Sequence, residues 1–109
     1  MDLKNKKCIP CEGTEKPLTK EKSKKLLKEI NNWKIIDNKM IEKGFSFKDF
    51  KEAVKFTNKV AEIAESEGHH PNIYIYDYRK VKISLLTHAI KGLAENDFIL
   101  AAKIDEIFD

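Results

Sequence analysis

The sequence predicts an α+β fold, a four-stranded antiparallel sheet with three helices packed on one face, in the order helix, hairpin, helix, hairpin, helix. Three observations carry this expectation. One stretch, Phe50 to Ala64, repeats its apolar residues with helical period. Two pairs of alternating segments each fold about turn residues, Asp37-Asn38 in the first and Asp77 to Lys80 in the second. The length, 109 residues, suits one hydrophobic core.

The elements follow in order. Residues 1 to 17 are polar and broken by Pro10, Gly13 and Pro17, so they read as an extended N-terminal arm, with residues 18 to 109 forming the single domain. Thr19 can cap a short helix reaching about Ile30, with Glu21 in its first turn and Leu26, Leu27 and Ile30 as its apolar stripe. Trp33 to Ile36 and Met40 to Phe47 make the first hairpin, with Gly44 expected at a bulge or bend. Ser46 followed by Asp49 marks the start of the central helix, whose predicted inner face is Phe50, Ala53, Val54, Thr57, Val60, Ala61 and Ala64. Gly68 is suited to end that helix in a left-handed conformation, and Pro71 pushes His70 toward extended backbone. Ile73 to Tyr76 and Val81 to His88 form the second hairpin, with Val81, Ile83, Leu85 and Thr87 on one face. A last helix is expected over Glu95 to Phe108, turning Leu100, Ala101, Ile104, Ile107 and Phe108 inward.

Composition narrows the function classes. Hydrophobic residues at 41% and charged residues at 36% describe a soluble globular domain; no apolar run could span a bilayer and no secretory leader opens the chain, so a cytoplasmic location is expected. Residues 1 to 59 carry sixteen lysines against nine carboxylates (+7), and residues 60 to 109 five basic against nine acidic groups (−4). This asymmetry reads as solvated helix faces. Arg79 is the one arginine, and the planar fork that nucleic-acid recognition favours is nearly missing, so no direct nucleic-acid binding is expected. Cys8-Ile9-Pro10-Cys11 is half a zinc site and lacks the strand that precedes a thioredoxin-like motif; a reduced structural pair, a metal ligand pair and a redox pair all stay open.

The chemistry gathers at Glu65-Ser66-Glu67-Gly68-His69-His70-Pro71. His69 and His70 precede the second hairpin and His88 ends it, and antiparallel strands return the end of one to the start of the other. Three imidazoles meeting there suit paired acid and base steps near neutrality. Glu65, four residues back, is placed to orient His69, and the negative end of the preceding helix faces the same ring. Read from residue types alone, proton transfer, metal binding through His69, His70, His88 and Glu65, and no chemistry at all remain open.

The spacing of Glu65, His69-His70-Pro71, Tyr78, His88 and Asp97 resembles the signature of the pterin-4a-carbinolamine dehydratases. The similarity extends through Trp33, the Phe45-Ser46-Phe47-Lys48-Asp49-Phe50 helix entry, Thr87-His88 and Gly92-Leu93, over roughly residues 18 to 108. The resemblance implies dehydration of a 4a-hydroxytetrahydropterin to the quinonoid dihydropterin, in recycling of tetrahydrobiopterin, with no metal and no cofactor. It implies His69 and His88 as proton-transfer residues, and His70 as the residue holding the pterin beside Pro71. Glu65 and Asp97 would support the site, and Thr87 and Trp33 would line it. It also implies a homodimer or homotetramer and, as the alternative, a non-catalytic dimerisation cofactor for a transcription factor. It assigns nothing to the Cys8 arm.

Overall fold

The structure is a computed structural model that describes residues 2–9 and 16–108. Three helices, α1 (Lys20–Leu27), α2 (Phe50–Glu67) and α3 (Glu95–Phe108), cover one face of an antiparallel sheet built from β1 (Lys34–Ile36), β2 (Met40–Ser46), β3 (Asn72–Tyr76) and β4 (Lys80–Leu85). The strands lie in the order β1-β2-β4-β3, so each hairpin contributes its second strand to the centre. The two hairpins join through β2 and β4, in continuous register from Ile41 opposite Leu85 to Ser46 opposite Lys80. That register includes Gly44 opposite Lys82, so the expected bulge at Gly44 is absent; the glycine sits in the ladder on the open face with free space where a side chain would be.

Alternation decides what is buried. Ile41 and Phe45 from β2 and Val81, Ile83 and Leu85 from β4 all point to the helices and are buried. On the opposite, uncovered face Tyr74 and Tyr76 stack at 5.2 Å, with the ammonium groups of Lys82 and Lys80 each 5.9 Å from a ring. A salt bridge enters the core, where Lys43 on β2 meets Asp105 on α3 at 2.7 Å. Its ammonium also lies over the ring of Phe45 at 4.9 Å, where the aromatic face is negative.

The central helix begins three residues later than the expected Ser46 cap. Asp49 holds the cap position, its carboxylate accepting from the Glu52 amide at 2.9 Å, because Ser46 is still paired in β2. The inner face is also rotated. Ala53, Phe56, Val60 and Ala64 are buried, whereas Phe50 is 55% exposed and Ala61 is exposed. Phe56 turns inward because Phe45 and Phe47 offer ring contacts at 4.8 and 5.0 Å. Along α3, residues 96 to 102 are buried without interruption, as befits a helix enclosed on nearly all sides. Part of its cover is the N-terminal arm. The arm is not wholly extended: Leu3–Asn5 forms a 3₁₀ turn on α3 and Leu3 is buried.

Candidate functional site

The site is set by how α2 ends. Gly68 takes the left-handed conformation, φ 65° and ψ 28°, and its amide closes onto the Glu65 carbonyl. This turn sends His69 inward toward α3 and leaves His70 outside, over the last turn of α2.

His69 meets Asp97, its Nε2 lying 2.6 Å from Oδ1 of a carboxylate that is fully buried. The other oxygen of Asp97 accepts from the Thr87 hydroxyl and from the Ala94 amide, each at 2.9 Å. Asp97 stands in the first turn of α3, where the helix dipole favours a negative charge. As a carboxylate it only accepts, so the His69 nitrogen facing it carries the proton, and Nδ1 is the ring nitrogen left for exchange. The carboxylate thereby fixes both the tautomer and the direction of the ring.

His70 meets Glu65 at 2.8 Å, with both side chains exposed. The expected partnership of Glu65 with His69 is therefore corrected: Glu65 orients His70, and Asp97 takes His69. The Gly68 turn is the reason, since it swings the first histidine off the helix end and returns the second to it. Glu65, His70 and Pro71 share with Ala61, Ala64 and Ile73 an open groove of about 770 Å³ between α2 and the start of β3.

His88 is not on the strand. β4 ends at Leu85, Thr87 forms an isolated bridge with Gly92, and His88 opens a 3₁₀ turn through Ile90 that Lys91 closes at φ 53°. The exposed His88 thus follows directly on Thr87, the residue that holds Asp97, at the end of the sheet where the other two histidines lie. Gly92 is needed there because any side chain would come within 2.8 Å of Pro17.

Trp33 sits elsewhere. It is buried against Phe45, and its indole nitrogen donates to Asp105 at 3.0 Å, with Lys43 completing the cluster. Asp105 and Lys43 escaped the reading of the sequence: Lys43 falls on the same strand face as Ile41 and Phe45, but a lone lysine there names no partner until α3 is docked.

The arm also reaches this region. The Cys8 amide donates to Glu67 at 2.8 Å, and Asn96 both accepts from the Ile9 amide at 2.9 Å and donates to its carbonyl at 2.5 Å. The Cys8 thiol is pushed up from 9.0 to about 12 by burial and then by the neighbouring Glu67 carboxylate. Such a thiol is a poor nucleophile or metal ligand. Cys11 lies outside the described residues, and among those described no cluster of three or more His, Cys, Asp or Glu side chains could hold a metal ion.

The family model for pterin 4 alpha carbinolamine dehydratase matches residues 16–107. A protein of Alkaliphilus metalliredigens carrying the pterin-4-alpha-carbinolamine dehydratase name is 44% identical over 106 residues, covering 96% of this chain and 95% of its own. The mitochondrial pterin-4-alpha-carbinolamine dehydratase 2 of Arabidopsis thaliana is 42% identical over 110 residues, 97% of this chain and 59% of that protein. Among solved structures, one described as a transcriptional coactivator/pterin dehydratase from Brucella melitensis aligns with a TM-score of 0.78 at 33% identity, covering 84% of this chain and 97% of that one. A pterin dehydratase-like protein described as a RuBisCO assembly factor in the alpha-carboxysome aligns with a TM-score of 0.59 at 25% identity, over 71% of this chain and 89% of its own. With a match that runs from before α1 nearly to the end of α3, this chain belongs to the pterin-4a-carbinolamine dehydratase family.

Proposed function

We propose that this hydro-lyase dehydrates a 4a-hydroxytetrahydropterin to the quinonoid dihydropterin by histidine acid and base catalysis, in the recycling of tetrahydrobiopterin. The observation that carries the reading is the His69–Asp97 pair, a ring directed by a buried, doubly hydrogen-bonded carboxylate. In the reaction the C4a–O bond breaks, the protonated hydroxyl leaves as water, N5 gives up its proton and the C4a–N5 double bond forms. One group must supply a proton and another must take one. His69, with Nδ1 free to exchange, and exposed His88 are the residues assigned to these transfers. His70, held by Glu65 along the groove wall with Pro71, is assigned to holding the pterin. Thr87 and Asp97 support the catalytic ring. Trp33, bonded to Asp105 in the core, serves the fold rather than the pocket wall.

A direct assay of carbinolamine loss tests this. His69→Ala and His88→Ala should each lower kcat by about 10²-fold or more, the usual scale of general acid or base catalysis. A wild-type rate no faster than the spontaneous reaction would end the proposal.

The same reading places the protein in the cytoplasm as a homodimer or homotetramer; among the described residues no helix is long and apolar enough to cross a membrane. A second reading, a non-catalytic binding module, draws support from the two solved relatives, one described as a coactivator and the other as an assembly factor. Partner binding that survives replacement of all three histidines, without any dehydratase activity in the wild type, would favour it.

A further inference from the structure

The N-terminal arm touches the site from behind at two points. Glu67, which receives the Cys8 amide, is the last residue of α2 and stands two residues before His69. Asn96, which exchanges two hydrogen bonds with the Ile9 backbone, is the neighbour of Asp97 in the first turn of α3. The two helix ends that His69 and Asp97 bridge on the site side are therefore bridged a second time by the arm. The Cys8 thiol adds a contact to the Asn96 carbonyl at 3.6 Å.

The rest of the arm is anchored along α3. Leu3 is buried, Lys6 pairs with Glu95 at 2.7 Å, and Lys103 donates to the Lys4 carbonyl at 2.8 Å while lying 3.7 Å from Glu67. Glu67 and Asn96 are themselves almost fully buried, with 7% and 9% exposure, so their bonds to the arm have little competition from water.

We propose that residues 2–9 form a strap that positions the His69–Asp97 pair, acting through Glu67 and Asn96. The strap fixes the separation of the two helix ends and so the distance at which the carboxylate holds the ring. Its effect on turnover rests on the dehydratase reading; its effect on the ring does not.

The test uses the full chain with three substitutions. Ile9→Pro removes the backbone donor to Asn96 while changing a side chain that is 73% exposed and leaving both helices untouched. Asn96→Ala removes both bonds from the other side. Glu67→Gln keeps an acceptor for the Cys8 amide and serves as the conservative variant. Two readouts are taken on folded protein: the steady-state constants, and the proton NMR signal of the His69 ring hydrogen bond to Asp97. Ile9→Pro and Asn96→Ala should lower kcat about 10-fold with KM within twofold, the cost of a small misplacement at a reacting group. They should also weaken or shift the ring-proton signal, while Glu67→Gln stays near wild type. Wild-type kcat and an unmoved ring signal in Ile9→Pro and Asn96→Ala would overturn the strap. If the wild type has no dehydratase activity, the ring signal alone decides, so loss of the functional reading is separable from loss of this one.

Discussion

At the scale of single residues, Cys8 shows how a side chain without chemistry of its own reports on its surroundings. Its thiol titrates near 12 in the folded chain, against 9.0 for an ordinary thiol, because burial and Glu67 both disfavour the thiolate. The unfolded chain therefore loses this proton first as pH rises. The stabilisation is intact below about pH 9 and disappears progressively toward pH 12. Urea midpoints measured from pH 8 to 11 should fall more steeply for wild type than for Cys8→Ala, and parallel curves would refute the account. The residue scale is also where the sequence was least legible. His69, His70 and His88 could be singled out by type and spacing, since hairpin geometry is local. Glu65 and Asp97 were singled out with them, but not which histidine each meets, because the Gly68 turn decides which ring swings toward α3. Lys43 and Asp105 were not read as a pair, their attraction being decided by the docking of α3 on β2.

At the scale of elements, the left-handed end of α2 carries the largest consequence. Gly68 has open space where a side chain would go, so Gly68→Ala meets no clash and the cost is conformational alone. A non-glycine residue at φ 65° should lose about 1–2 kcal/mol, measurable as a lower urea midpoint with unchanged slope. A stability equal to wild type would show that another residue closes the helix equally well. The glycine was readable in the sequence, as were the strand faces of β4 and the span of α3, because each follows from a short periodic pattern. The rotation of α2 was not. Val54 and Ala61 are as apolar as an inner face requires, and the choice of Phe56 over Phe50 was made by rings on β2 and its following loop. The strap was likewise unreadable, since its bonds come from backbone amides that a polar arm displays in any conformation.

At the scale of the whole molecule, the sheet has two open edges, a three-residue β1 and a five-residue β3. Near the start of α2, Phe50 leaves an apolar surface exposed beside the half-buried Val54. Uncovered edges and apolar rims are the features that assembly buries. Light scattering at micromolar concentration should give a dimer or tetramer mass for the wild type; a strict monomer would remove self-association from the functional reading.

The strand order has one further consequence, in folding kinetics. Each hairpin closes a short loop, and its contacts cost little chain entropy. The pairing of β2 with β4 joins segments separated by the whole of α2, so it carries a larger loop-closure cost than either hairpin. His69 and Asp97, 28 residues apart in the chain, belong to the same non-local class of contact. The His69–Asp97 bridge therefore closes a loop that holds the whole second hairpin, and it adds to the non-local share of the chain's contacts.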